Sequence, residues 1–266
     1  MFQALRQIFA RGEAVPAPAI PLGQRVYAVG DIHGRVDLFA ALAEAIDADD
    51  AAAVPADTTV VLLGDLVDRG ADSAGVIALA RAWQHRRRVR ILAGNHEEMF
   101  LRSFASLEMF RHFLRHGGRE TVLSYGVDRA EFVQADLERA QELMCTAVPA
   151  EDIAFLNGFE DMIAIGDYLF VHAGIDPSVP IEEQKIHDLR WIREPFLSNA
   201  EPYGQVVVHG HTISETPEDC GNRIGIDTGA FMTGRLTALV LEGTQRRYIE
   251  AVESEDGQVA VAPLTV

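Results

Sequence analysis

Residues 25–34 read RVYAVGDIHG, and the way this stretch ends governs how the rest of the chain is read. Val26, Tyr27, Ala28 and Val29 form a short run of strand-favouring residues, and Gly30 breaks it so that the backbone can turn sharply. Asp31 and His33 follow two positions apart, and Gly34 gives the chain room to leave around them. An oxygen and a nitrogen ligand at that offset can be aimed at one metal ion. Taken alone, the same residues also suit an ordinary strand-to-helix turn in which Asp31 caps the next helix. Recurrence of the pattern decides between the two.

Thr58 to Leu63 is a continuous β-branched and apolar run, as in a strand buried on both faces, and it ends in GDLVDRG, Gly64 to Gly70. Val89 to Ala93 runs into GNHE, Gly94 to Glu97. Asp167 to Val171 runs into HAG, His172 to Gly174, and Gln205 to Val208 into HGHT, His209 to Thr212. Helical stripes lie between the first three: Leu38, Phe39, Leu42, Ala45 and Ile46, then Val76, Leu79, Ala80 and Trp83, the second capped by Asp72 or Ser73. Strands that are largely parallel, or packed in two facing sheets, bring their carboxyl ends to one crevice.

Six candidate ligands meet there: Asp31, His33, Asp65, Asn95, His172 and His211. Carboxylates, an amide oxygen and imidazoles together suit a pair of first-row divalent ions. Calcium wants oxygen alone, and structural zinc favours thiolates. Asp65 is the natural bridge. Such a pair, about 3.5 to 4 Å apart, activates water and clamps the attacking and departing oxygens of an in-line displacement at phosphorus. His96 can protonate a leaving oxygen while Asp68 orients its ring, and Arg69 and Arg193 offer planar forks for phosphate oxygens. The plainer readings are a salt bridge for Arg69 and an ordinary surface position for Arg193.

The remaining segments carry less chemistry. Phe2, Leu5, Ile8 and Phe9 fall on one face of a short helix in an N-terminal arm, residues 1–24, that is expected to dock on its own domain or stay disordered. Residues 25–266 are expected to form a single domain. The helical insert at about 98–158 is read as a cap over the cleft, where substrate preference usually resides. His112 and His116 stand at i, i+4 but lack a third ligand and are read as surface histidines. Asp176 to Tyr203 is loop-rich. The tail reads as strands at Arg223 to Asp227 and Arg235 to Leu241, joined by TGAFMTG, with a last one near Gln258 to Ala262.

With 266 residues and 48% hydrophobic content, a sizeable core is available. A formal charge of -17 argues against a general nucleic-acid binder, although a local cluster of cations and arginines can still govern a cleft. Two cysteines fit a reducing compartment, and neither a membrane span nor a signal peptide is evident, so a cytoplasmic location is expected.

GDIHG, GDLVDRG, GNHE, FVHAG and HGHT, in that order, resemble the signature set of the PPP-type serine/threonine protein phosphatases of the calcineurin-like metallophosphoesterase superfamily, above all the compact bacterial and bacteriophage members. The resemblance covers Arg25 to about Leu241. It implies an α/β fold with a central β-sandwich of two facing mixed sheets flanked by helices. It also implies one metal on Asp31, His33 and Asp65, and a second on Asp65, Asn95, His172 and His211. Asp68 and His96 are implied as the acid pair, and Arg69 with Asn95 on the phosphate. Arg193 sits in a WIRE segment similar to the family's WxRE. The ions implied are divalent, manganese first, with iron or zinc as alternatives. Phosphorylated proteins or peptides are the implied substrates, with small phosphomonoesters turned over in vitro. Thr212 and Ile213 follow His211 where phosphodiesterases of the superfamily carry a further histidine, which favours monoesters. His209 is read as a packing or supporting residue. Symmetrical hydrolysis of dinucleoside tetraphosphates, on a similar scaffold, is the alternative activity.

Overall fold

Alternate residues of the first strand enter different cores. In β1 (Gln24–Val29), Tyr27 and Val29 pack with Leu38, Phe39, Leu42, Ile46 and Trp83, whereas Val26 and Ala28 face Tyr168, Phe170, Val208 and Ile224. In β2 (Asp57–Leu62), Val60 and Leu62 point one way and Val61 the other. Two-sided burial is why these runs are apolar at consecutive positions. β1, β2 and β3 (Val89–Ile91) are parallel neighbours, connected by α1 (Val36–Ala52) and α2 (Ser73–Gln84), which supply the helical side of the first core.

A second sheet lies across the other core. It comprises β4 (Met162–Ile165), β5 (Tyr168–Val171), β6 (Val206–His209), β7 (Glu218–Asp219) and β8 (Arg223–Gly225), in the order β4-β5-β6-β8-β7. Here β5, β6 and β8 run parallel. The chain then returns to the first sheet as β9 (Arg235–Glu242), β10 (Gln245–Glu253) and β11 (Val259–Leu264), giving the order β11-β10-β9-β1-β2-β3. The architecture is therefore mixed α/β: two facing mixed sheets with helices outside them.

The computed structural model describes residues 17–264, so the amphipathic segment around Phe2, Leu5, Ile8 and Phe9 lies outside the described residues. Ile20, assigned to the arm from sequence, is buried between the sheets, and its N–H donates to the Gly243 carbonyl. Between β3 and β4 come α3 (Asn95–Ser103), α4 (Leu107–Phe113), a π-type turn at Leu114–Gly118, α5 (Arg119–Ser124), α6 (Arg129–Gln134), α7 (Leu137–Ala147) and α8 (Ala150–Asn157). Met99, Phe100, Phe110, Phe113 and Met144 give this insert a core of its own. No described helix is long and apolar enough to cross a membrane.

Three elements depart from the sequence expectation. The tail contains β10, a long strand whose buried Tyr248, Ile249 and Ala251 are interspersed with charge; Arg246, Arg247 and Glu250 find opposite charges on Asp219, Asp49 and Arg235. The stretch Asp176 to Tyr203 is not all loop: α9 (Ile186–Trp191) forms within it and buries Leu189 against Leu169, Val171 and Phe196. Finally, β4 precedes β5 as the other arm of a hairpin, and only Ile163 of its four residues is fully buried.

Candidate metal centre

The carboxyl ends of β1, β2, β3, β5 and β6 open onto one buried cluster, and each delivers the residues read from its motif. His33 Nε2 lies 3.5 Å and His96 Nε2 3.9 Å from Asp65 Oδ2, while His172 Nε2 is 3.4 Å from Asp65 Oδ1. Two groups of candidate ligand atoms result, His33 with Asp65 and His96, and Asp65 with His172 and His211, the atoms of each within 4.8 Å of one another. Asp65 belongs to both. Asn95 Oδ1 is 3.0 Å from His172 Nε2. Asp31 belongs to neither group; its carboxylate accepts the backbone N–H of His211 and does not cap α1, whose first turn has no side-chain cap.

Glycines make these approaches possible. A Cβ on Gly94 would lie 2.1 Å from Asp65 Oδ1, and one on Gly210 would lie 2.0 Å from Asp31 Oδ1. The loops themselves are strained. His33, Asp65, Asp68, Arg69 and His211 are the residues other than glycine with positive φ among the described residues, and all five are candidate site residues. Each such conformation costs of order 1–3 kcal/mol and persists only where the surroundings enforce it. One enforcer is Glu97, fully buried at the start of α3. Its carboxylate accepts the backbone N–H groups of Gly94, Asp65, Leu66 and Val67.

The imidazole tautomers follow from their partners. His33 Nδ1 donates to the Val67 carbonyl and His172 Nδ1 to the Leu63 carbonyl, which leaves both Nε2 atoms as acceptors. His172 Nε2 then faces Asn95 Oδ1, two acceptors held together, and the buried Nε2 of His211 has no hydrogen-bond partner. A shared cation satisfies all three. Burial keeps these groups uncharged: His172 and His96 are pushed down to about 4 and His211 to about 2. Burial, then the neighbouring Asp227 and Asp65 carboxylates, holds Asp31 well above the usual carboxylate range, and burial raises Asp65 to about 6. Divalent cations invert that preference, so the donor set fits two of them.

His96, a member of the first group through its Nε2, donates from Nδ1 to Asp68 Oδ2 at 2.6 Å. Asp68 is fixed in turn by the Thr121 hydroxyl from α5, which donates to its Oδ1 at 2.6 Å, and its own N–H donates to Ser73 and Thr121. Arg69 makes no salt bridge with its neighbour. Its guanidinium donates to His33 Nε2 and His96 Nε2, and a cation on His33 requires it to move off that nitrogen. Arg193 is exposed, yet close enough for its charge to help lower His172 and His211. His209 lies apart from both groups, packed edge-on to Phe196. His116 is exposed and bonds only the His112 carbonyl.

Sequence reasoning missed Glu97, Thr121 and Asp227. Asp227 follows β8 and is buried beside Asp31, with burial raising it to about 6. The repeated signal, a strand stopping at an aspartate, is present there too. Thr121 has no local signal, because its partner is 53 positions away.

A family model described as calcineurin-like phosphoesterase matches residues 24–230. Serine/threonine-protein phosphatase 1 of Salmonella typhimurium is 30% identical, over 80% of this chain and 90% of its own length. A bis(5'-nucleosyl)-tetraphosphatase named as asymmetrical, from Anoxybacillus flavithermus, is 28% identical over 79% and 88%. The cold-active protein-tyrosine phosphatase of a psychrophile Shewanella shares the fold, with a TM-score of 0.55, 17% identity, and coverage of 93% of this chain and 82% of its own. With that family model spanning most of its length and the strand ends gathered as above, the chain belongs to the calcineurin-like phosphoesterase family, on the side of its PPP-type bacterial members.

Proposed function

We propose that this protein is a metal-dependent phosphomonoesterase acting on phosphoserine and phosphothreonine in proteins. The observation that carries the reading is the His96–Asp68 pair beside an Asp65 carboxylate that faces His33 through Oδ2 and His172 through Oδ1. In this reading Asp31, His33 and Asp65 hold one divalent ion and Asp65, Asn95, His172 and His211 the other, manganese being the first choice and iron or zinc the alternatives. When bound, the ions supply Lewis-acid polarisation of the phosphoryl group. Arg69 and Arg193 bind its oxygens, Arg69 through a two-pronged guanidinium, and Asn95 adds an amide contact.

His96 gives a proton to the leaving serine or threonine oxygen. Its Nδ1 is committed to Asp68, so the proton delivered is one taken up on Nε2 after Arg69 moves off that nitrogen to the phosphate; burial opposes this protonation, and the Asp68 carboxylate on Nδ1 favours it. Thr121 keeps Asp68 from rotating away. Burial of the whole pair excludes bulk water from this transfer.

A second reading rests on the nucleotide-cleaving relatives. These are named asymmetrical, whereas the sequence alternative is symmetrical cleavage, so the products as well as the rate must be examined. Comparing kcat/KM for a phosphoserine peptide with that for diadenosine tetraphosphate, under manganese, decides between them. The peptide is expected to win; a large preference for the nucleotide overturns the proposal.

A further inference from the structure

In a chain of net charge -17, the placing of unpaired arginines is informative. Most arginines of the described residues have a carboxylate within 4.0 Å: Arg25, Arg35, Arg81, Arg87, Arg90, Arg235, Arg246 and Arg247 all do. Arg69, Arg111, Arg115 and Arg193 do not. Of the others without one, Arg223 is tied to the Leu197 carbonyl and Arg86 follows the far end of α2. Four of the six described arginines without a carboxylate therefore lie at the centre or on the two segments bordering it.

Arg111 and Arg115 are four residues apart, on α4 and the turn that follows, and both are exposed. With His112, Glu108, Met109 and Trp191 they line a groove of about 340 Å³ between this part of the insert and the end of α9. Glu108 is the one carboxylate in the lining, and neither arginine is within salt-bridge distance of it. Both walls run directly to the metal centre. The turn continues from Arg115 to Gly117, whose carbonyl accepts the Arg69 N–H, and the Trp191 wall continues two residues on to Arg193. The Trp191 indole also donates to Glu98, three residues after Asn95 on α3.

We infer that this groove is a second anion subsite, holding an acidic or phosphorylated side chain that flanks the scissile phosphoserine or phosphothreonine of a peptide substrate. The inference rests on the proposed function and names its substrate class: peptides carrying a second negative group near the first. Arg111 and Arg115 stand at one-turn spacing, so they present two forks to one phosphate or carboxylate. Trp191 gives the intervening peptide an apolar wall. Gathering free cations in one place on an otherwise acidic molecule also steers such substrates to the cleft while repelling others.

The test uses the metal-loaded full chain and two phosphoserine peptides of equal length, one flanked by Asp and Glu, the other by Asn and Gln. The wild-type protein is expected to favour the acidic peptide about five- to tenfold in kcat/KM at low salt, mainly through KM, with the preference shrinking as salt is added. Arg111→Gln with Arg115→Gln should abolish the preference and leave p-nitrophenyl phosphate hydrolysis unchanged. Indifference of the wild type to the flanks, or a preference that survives in the double variant, overturns the inference and spares the proposed function. If neither peptide is hydrolysed, the proposed function falls. Fluorescence anisotropy of a labelled, non-hydrolysable phosphonate version of the acidic peptide then decides separately. Tight binding lost in the double variant supports the subsite, and equal binding by both proteins removes it. Loss of diadenosine tetraphosphate binding in the double variant, with peptide binding intact, would reassign the groove to nucleotides and also overturn it.

Discussion

The two halves of the centre are built differently. On the first sheet, the loops after β2 and β3 are tied down by side chains that bond backbone: Glu97 spans four N–H groups, and Thr121 and Ser73 fix the N–H of Asp68. On the second sheet the ties are fewer: His172 bonds the Leu63 carbonyl, the His211 N–H is held by Asp31 of the first sheet, and His211 Nε2 has no partner. The first half carries the acid, the phosphate arginine and four of the five strained residues. The second supplies ligands with fewer supports. Groups that must be aimed at a moving proton or a leaving oxygen are over-determined by the protein, whereas groups that meet a cation can be left for the cation to order.

If Asp65 is where the halves join, removing its charge should give the largest effect. Asp65→Asn is expected to lower turnover of any phosphomonoester by about 10⁴-fold, the loss of several kcal/mol of charge stabilisation. Metal analysis should show both ions weakened together. Loss of one ion with the other retained would mean that the two groups are independent and the halves do not share this carboxylate. Next comes His96→Ala, which acts within the first half alone. A lost general acid is worth roughly 10²- to 10⁴-fold on alkyl phosphates. The loss should be far smaller on p-nitrophenyl phosphate, whose leaving group needs no proton. Equal losses on both substrates would place His96 among the metal or phosphate contacts.

Smaller effects probe the over-determination itself. Thr121→Val keeps the shape, removes the bond to Asp68 Oδ1, and is expected to cost about 10- to 100-fold in kcat on alkyl phosphates. Metal content should not change. Glu97→Gln replaces an acceptor-only carboxylate with an amide that can accept through one oxygen only, so some of its four N–H partners lose their acceptor. About 1–3 kcal/mol of stability should go with them, read as a lower Tm in chelated and metal-loaded protein alike. A Tm loss confined to the metal-loaded form would show that Glu97 acts through the ions and not through the loop.

What could be read from sequence follows the same division. Each ligand stands next to the strand that carries it, so a local rule, an apolar run stopping at Asp, Asn or His, finds Asp31, Asp65, Asn95 and His172; after β6 it meets His209 first, and His211, two residues on, is the one in the ligand group. The same rule applied to the tail strand read as Arg223 to Asp227 would have found Asp227; counting it as the strand's last residue, with no site assigned to it, hid it. The supports are different. Thr121 and Asp68 meet across the whole first part of the helical insert, and nothing near Thr121 announces this. The strand β10 escaped for a related reason, since its charged residues are accommodated by partners on α1, β7 and β9 that only the tertiary fold brings near.

Phe231 lies where the two halves touch, and it makes the finest test. It sits in α10 (Ala230–Thr233), on the crossover from β8 of one sheet to β9 of the other. The Arg69 guanidinium carbon lies 4.6 Å from its ring centroid, and the His33 ring meets it edge-on at 5.4 Å. A residue from the second half thus braces the phosphate arginine of the first. A cation–π contact at a partly exposed site is worth about 0.5–1 kcal/mol, or roughly two- to fivefold. Phe231→Leu keeps most of the apolar bulk and removes the π face, so KM for phosphomonoesters should rise by about that factor with kcat nearly unchanged. Phe231→Tyr should restore the wild-type value. A fall in kcat with KM unmoved would mean that the ring serves His33 and its ligand geometry, and that the bridge between the halves runs through the metal side and not through the arginine.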